Sequence, residues 1–210
     1  MTDASTRDQI LDAAERLFAE QGFPRTTIKQ IGQAAGVNSA LLYYYFADKE
    51  RLYHEVLQRL VGGLVARTVS TLAAEGPPAA RLRAFLEAQA EALAANPHFP
   101  RLLVRELADS DAAHAVEQLQ LLAATTFRRL CDLIEEGQRD GAFRSELDPR
   151  FAAISTMAQV AYFFIARPAV RVILDAGPAG PSPAVVRAYA SHAADFALAA
   201  LARRPSRRTR

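Results

Sequence analysis

The chain has 210 residues, half of them apolar, with 25 basic against 23 acidic side chains and a formal charge of +2. That length and composition support a buried core and exclude a largely disordered chain. The near-neutral balance gives no bulk attraction for nucleic acid, so any such role must rest on where individual cations sit. A single cysteine, Cys131, excludes an intramolecular disulfide and the thiolate clusters of structural zinc, which fits a reducing cytoplasm.

The opening MTDASTRDQI carries acidic residues where a secretory leader would be basic, and it lacks an apolar run. Ser5 and Asp8 predict the start of a first helix, whose stripe Ile10, Ala14, Leu17, Phe18 ends at Gly22. Thr26 or Thr27 caps a second helix with Ile28, Ile31 and Ala35 inward and Lys29, Gln30 and Gln33 outward. Gly36 suits a left-handed stop, Val37 fills the corner, and Asn38 or Ser39 caps a third helix ending in Tyr43, Tyr44, Tyr45 and Phe46. This is a helix-turn-helix pattern. Leu42 and Phe46, four apart, form its inward pair, leaving Tyr43 and Tyr44 for an outer face.

A long helix follows from Asp48 to about Ala74 and stops at Gly76-Pro77-Pro78. Further helices are predicted at 78–95, 98–109, 111–139, 149–167 (ending before Pro168) and 183–202, with a Gly/Pro loop at 175–183. No alternating strand pattern or internal repeat appears. The expected fold is all-α: a three-helix helix-turn-helix domain at 1–50, joined by a long helix to a helical ligand-binding and dimerisation bundle at 51–202, then a basic, disordered tail at 203–210. The most apolar run, Phe151 to Ala166, is broken by Ser155, Thr156 and Gln159 and is too short and polar to span a bilayer, so no membrane role is expected.

In a helix-turn-helix the second helix enters the major groove of double-stranded DNA by its N-terminal residues. Here Ser39, Ala40 and Leu41 would meet base edges, with Leu41 against a thymine methyl, and Tyr43 and Tyr44 would donate to phosphates. Lys29 and Lys49, the only lysines, flank that helix and would supply charge.

The segments LFAEQGF at 17–23, TTIKQIGQAAGV at 26–37, LYYYF at 42–46 and KERL at 49–52 resemble the signature of the TetR family of bacterial transcription regulators. The resemblance covers about the first quarter of the chain. It implies a homodimeric, usually repressing DNA-binding protein whose C-terminal domain binds a small molecule and releases a palindromic operator. Carried over, phosphate contacts fall on Thr27, Tyr43, Tyr44 and Lys49 and groove-reading positions on Lys29, Ser39, Ala40 and Leu41, with Asn38 beside them. Two positions depart from the family: Ser39 replaces a frequent basic residue and Leu41 a frequent Thr or Ser. A bidentate guanine contact must then come from Lys29 or be absent.

The nearly all-round apolar helix at 149–167 needs cover on two sides, and the helix at 183–202 offers a second apolar surface. The resemblance assigns the last two helices to a homodimer interface. Phe99, Arg105, Phe127, Gln159, Tyr162 and Phe163 are the expected lining of an effector pocket, mostly apolar with a few polar groups. Arg105 beside Glu106 reads more simply as an ion-pairing group. His54, His98, His114 and His192 show no metal-ligand spacing, and Cys131 reads as a small buried hydrophobe. Without a phosphate loop, metal cluster or acid–base pair, neither enzyme chemistry nor a cofactor is expected.

Overall fold

A computed structural model describes residues 3–109 and 112–203. Among these, eleven α-helices and one short π-helical segment account for the regular structure, with a single isolated bridge pairing Phe143 with Ala202. The helices are α1 (Asp3–Gln21), α2 (Ile28–Ala35), α3 (Ser39–Tyr45), α4 (Lys49–Ala73), α5 (Pro78–Ala95), α6 (His98–Asp109), α7 (Val116–Leu122), α8 (Arg128–Arg139), α9 (Pro149–Ile165), α10 (Arg167–Ile173) and α11 (Pro183–Leu201). The π segment, Ala123–Phe127, runs directly into α8.

The chain forms two compact units: Met1–Gly63 with Asn96–Gln120, and Leu64–Ala95 with Leu121–Arg210. In the first, Ile10, Ala14, Phe18, Ile31, Leu42, Phe46, Leu52, Val56 and Leu102 are buried together with Tyr53. Arginines fasten α4 to α1: Arg59 reaches Asp12 at 2.7 Å and Glu15 at 2.6 Å, and Arg7 pairs with Glu55. In the second unit α5 packs against α8, α9 and α11, burying Leu82, Phe85, Leu86, Leu130, Leu133, Ile134 and an alanine stripe of α11 at 190, 193, 194 and 197.

Three expectations need correction. The first helix is already formed at Asp3, so Ser5 sits inside it and is not its cap. The helix expected over 111–139 is broken: residue 111 lies outside the described residues, 112–115 are turns with Ala112 at φ +61°, and α7 gives way to the π segment. There Thr125 bonds back to the Leu121 carbonyl at 2.6 Å, a side-chain competitor for the helix ladder that apolar periodicity does not register. Finally, α10 begins at Arg167 with Pro168 in its first turn, where only a stop is expected from the sequence; proline suits that turn because its missing N–H costs nothing there. Of the basic tail, 204–210 lies outside the described residues.

Candidate nucleic-acid interface

The two threonines before α2 divide their work. Thr26 is buried, its hydroxyl donating to the Gly22 carbonyl at 2.8 Å and so closing the end of α1. Thr27 is exposed and caps α2: its Oγ1 accepts the Gln30 N–H at 3.2 Å, while the Gln30 side chain accepts the Thr27 N–H at 2.9 Å. This reciprocal box satisfies amides that the first turn leaves without partners.

The corner that follows is tight. Gly36 takes φ +69°, and the Val37 N–H returns to the Gly32 carbonyl at 2.9 Å. A β-carbon on Gly32 would lie 2.9 Å from the Val37 carbonyl oxygen, so the close approach of the two helices needs glycine there. Asn38 caps α3, its Oδ1 accepting the Leu41 N–H at 2.8 Å. Its side-chain oxygen, expected at the DNA face, is therefore committed to the cap.

With Leu42 and Phe46 buried, α3 must turn its other face outward. Tyr43 is 57% exposed and Tyr44 74%. Ala40 and, on α2, Lys29 are exposed; Ser39 and Leu41 are half-buried. Tyr45, half-buried, packs edge-on to Tyr44 at 5.2 Å. The helix thus offers small, apolar and phenolic groups and no cation of its own.

Lys49 departs from its expected role. Its ammonium donates to the carbonyls of Phe23 at 3.0 Å and Thr26 at 3.1 Å, and lies 4.3 Å from the centre of the Phe23 ring. Instead of standing free at the surface it holds the α1–α2 loop against the start of α4. Arg25, exposed next to Thr26, lies outside the expected set.

Behind this surface α6 is tied to the same unit. Arg105 Nε donates to the Ala19 carbonyl at 3.2 Å and its Nη2 to that of Glu20 at 2.9 Å, so the guanidinium, expected to ion-pair, also closes the end of α1. Glu106, 3% exposed, accepts from the Tyr53 hydroxyl at 2.9 Å and the His114 N–H at 2.8 Å, with His114 Nδ1 at 3.1 Å. Phe18, Phe23, Tyr53 and His114 complete an aromatic cluster there. His54 and His114 come within 6.2 Å, yet among the described residues no three His, Cys, Asp or Glu side chains are grouped as metal ligands.

The expected effector residues fall in both units. Phe99 (buried) and Arg105 belong with the helix-turn-helix; Phe127, Gln159, Tyr162 and Phe163 belong to the other unit. There Phe163 stacks on Tyr189 at 4.1 Å, the Tyr189 hydroxyl donates to the Gln159 carbonyl at 2.7 Å, and Tyr162 is exposed. Burial pushes the Tyr189 phenol above its ordinary pKa, and burial likewise raises the Cys131 thiol. The outer face of α9 through α11 is apolar and uncovered within the chain: Phe151, Ile154, Tyr162, Val172, Ile173 and Phe196 are all exposed. A groove of about 420 Å³ opens between Phe151 and Phe196, floored by Thr156 and Ala197. No described helix is long and apolar enough to cross a membrane.

A capped helix-turn-helix with a phenolic outer face, in a chain whose other unit is all-helical, defines a DNA-binding transcriptional regulator. Residues 10–56 match the family model for bacterial regulatory proteins of the tetR family, and residues 78–196 match that for the tetracyclin repressor-like C-terminal domain. The chain belongs to the tetR family. It is 33% identical over 147 residues to the HTH-type transcriptional repressor KstR2 of Rhodococcus jostii (strain RHA1), covering 70% of this chain and 72% of that one. It is 29% identical over 160 residues to the repressor NicS of Pseudomonas putida, covering 76% and 75%. In fold it is similar to the fatty acid degradation regulator FadR from Bacillus halodurans, with a TM-score of 0.76 at 24% identity over 97% of this chain and all of the other.

Proposed function

We propose that the protein represses transcription as a homodimer on a near-palindromic operator and is released by a small, largely apolar effector. The observation that carries this reading is α3, which buries Leu42 and Phe46 and turns Ala40, Tyr43 and Tyr44 outward. Ser39, Ala40 and Leu41 read base edges with Lys29; Thr27, Tyr43 and Tyr44 contact phosphate with Arg25; and Asn38 and Lys49 hold the elements that present them. Residues 1–50 carry the DNA contacts, on a body that 51–63 and 96–120 complete, and the second unit carries the sensing and dimerisation. The repressor role is supported by KstR2 and NicS, both named as repressors.

The dimer is built on the face of α9 and α11, where exposed Phe151, Ile154 and Phe196 need cover that the single chain does not provide. The effector binds within the second unit, where Phe127, Gln159 and Phe163 remain candidates. Effector and DNA favour different separations of the two recognition helices, of which DNA requires about 34–36 Å. A coupling of about 1–3 kcal/mol suffices for a switch. The protein does this work in the cytoplasm, beside its DNA.

Selection from random duplex DNA at fixed, moderate salt tests the reading. A recovered near-palindrome, lost in Tyr43→Ala/Tyr44→Ala with the fold intact, is the expected result; no enrichment by folded wild-type protein stripped of ligand sinks it.

A further inference from the structure

The chain contains only two lysines, Lys29 and Lys49, each at the start of a helix in the first unit, and their ammonium groups stand in opposite surroundings. Lys49, the first residue of α4, meets a loop whose carbonyls receive it, Phe23 at 3.0 Å and Thr26 at 3.1 Å, with the centre of the Phe23 ring 4.3 Å away. Lys29, the second residue of α2, has no such cradle. The backbone groups left over at a helix start are N–H donors, which an ammonium cannot use. The helix, IKQIGQAA, carries no acidic residue to pair with it, and Arg25, four residues earlier, has the same sign. Lys29 is exposed and makes no hydrogen bond or ion pair among the described residues.

That contrast is a difference in readiness to react. Lysine attacks an electrophile through the lone pair of its neutral amine, so an ammonium that donates to two carbonyls must first give up both bonds and its place over the ring. Lys29 gives up only water. Its position adds a consequence, because α3 has no cation of its own and Lys29 is the one charged member of the base-reading set.

We propose that Lys29 is a single-site acylation switch, taking a short acyl group from an activated donor, an acyl thioester or acyl phosphate, and thereby releasing the operator. The inference rests on the reading of the protein as a DNA-binding regulator. Nζ attacks the acyl carbonyl carbon, and a C–N bond forms as the C–S or C–O bond to the leaving group breaks. The thiolate or phosphate departs with the bonding pair, and the proton of the amine passes to water. The product is a neutral amide, in which one positive charge is gone and one N–H donor remains where the ammonium had three. The acyl group is short because Arg25, Gln30 and Gln33 around Lys29 are polar and offer no apolar surface to a long chain.

Acetyl phosphate and acetyl-CoA, each added alone to the full chain at mildly alkaline pH, are the probes, with modified sites located by peptide mass spectrometry and operator affinity measured at fixed salt. Lys29 should be acetylated about tenfold faster than Lys49 or more, and the donor that reacts names the source. Operator affinity of the wild type should then fall about tenfold or more. Lys29→Arg, whatever its starting affinity, should fall less than about twofold on the same treatment, which sets aside modification elsewhere as the cause. Lys49 acetylated as fast as Lys29, no acetylation of Lys29 by either donor, operator affinity kept after Lys29 is modified, or an equal fall in Lys29→Arg would each overturn the inference. Wild type that binds its operator and gives any of those results removes this inference alone. Folded, unmodified wild type that enriches no operator removes the reading beneath it and the inference with it.

Discussion

The Lys49 ammonium lies 3.0 Å from the Phe23 carbonyl oxygen, and both residues belong to segments that position the recognition helix. A lysine so engaged is expected to organise the interface rather than to neutralise a phosphate. Salt dependence tells the roles apart, because each phosphate contact adds about 0.9 to the slope of log affinity against log salt. Arg25→Ala should lower that slope by about 1 per protomer. Lys49→Met should weaken DNA binding and cost about 1–2 kcal/mol of stability while leaving the slope unchanged. A slope change in Lys49→Met would restore it to the phosphate contacts.

Tyr53 donates to the buried Glu106 carboxylate. Tyr53→Phe keeps the ring in its cluster with Phe18 and Phe23 but removes that donor, and should cost about 1–3 kcal/mol in urea unfolding. A neutral result would mean that the carboxylate draws nothing from the hydroxyl.

Gly137 faces Phe143 so closely that an added β-carbon would come within 2.2 Å of a ring carbon. Gly137→Ala should destabilise by about 1–3 kcal/mol despite alanine's better helix propensity. Adding Phe143→Leu should recover part of the loss.

Asp148 caps α9, and its carboxyl is held down to about 2, first by the Arg150 side chain and next by the Arg150 N–H. A depressed carboxylate stabilises the fold above its unfolded pKa, near 3.9, and loses that contribution as pH falls toward 2. Asp148→Asn should therefore flatten the acid limb of the stability profile between about pH 4 and 2. An unchanged limb would contradict the pairing.

Phe196→Asp places a charge on the outer apolar face of α11 and should convert the dimer to monomer in sedimentation equilibrium, with unchanged helical content. Persistence of the dimer would move the interface elsewhere.

Local chemistry was legible in the sequence and remote commitments were not. Thr27, Gly36 and Asn38 were readable as caps or stops because each acts within four residues of itself. The roles of Lys49 and Arg105 depend on carbonyls far along the chain, 23 to 26 residues away for Lys49 and 85 or 86 for Arg105, which no periodicity encodes. The outer face of α9 and α11 was legible as excess hydrophobicity. The π segment was not, since AATTF carries no apolar stripe of its own, and α10 was hidden by a proline whose two meanings differ only by position.

Because α6 shares a compact unit with the helix-turn-helix, the DNA-binding body is assembled from two stretches of chain that are not adjacent in sequence. A chimera cut at residue 50 would leave Tyr53, Glu55, Arg59 and Arg105 on the foreign side of the junction. The grafted head would lose the aromatic ring, ion pairs and guanidinium that fasten its first helix. Exchange of sensors between relatives is thus constrained by a seam of specific contacts, and a working hybrid must carry 51–63 and 96–120 along with the reading head.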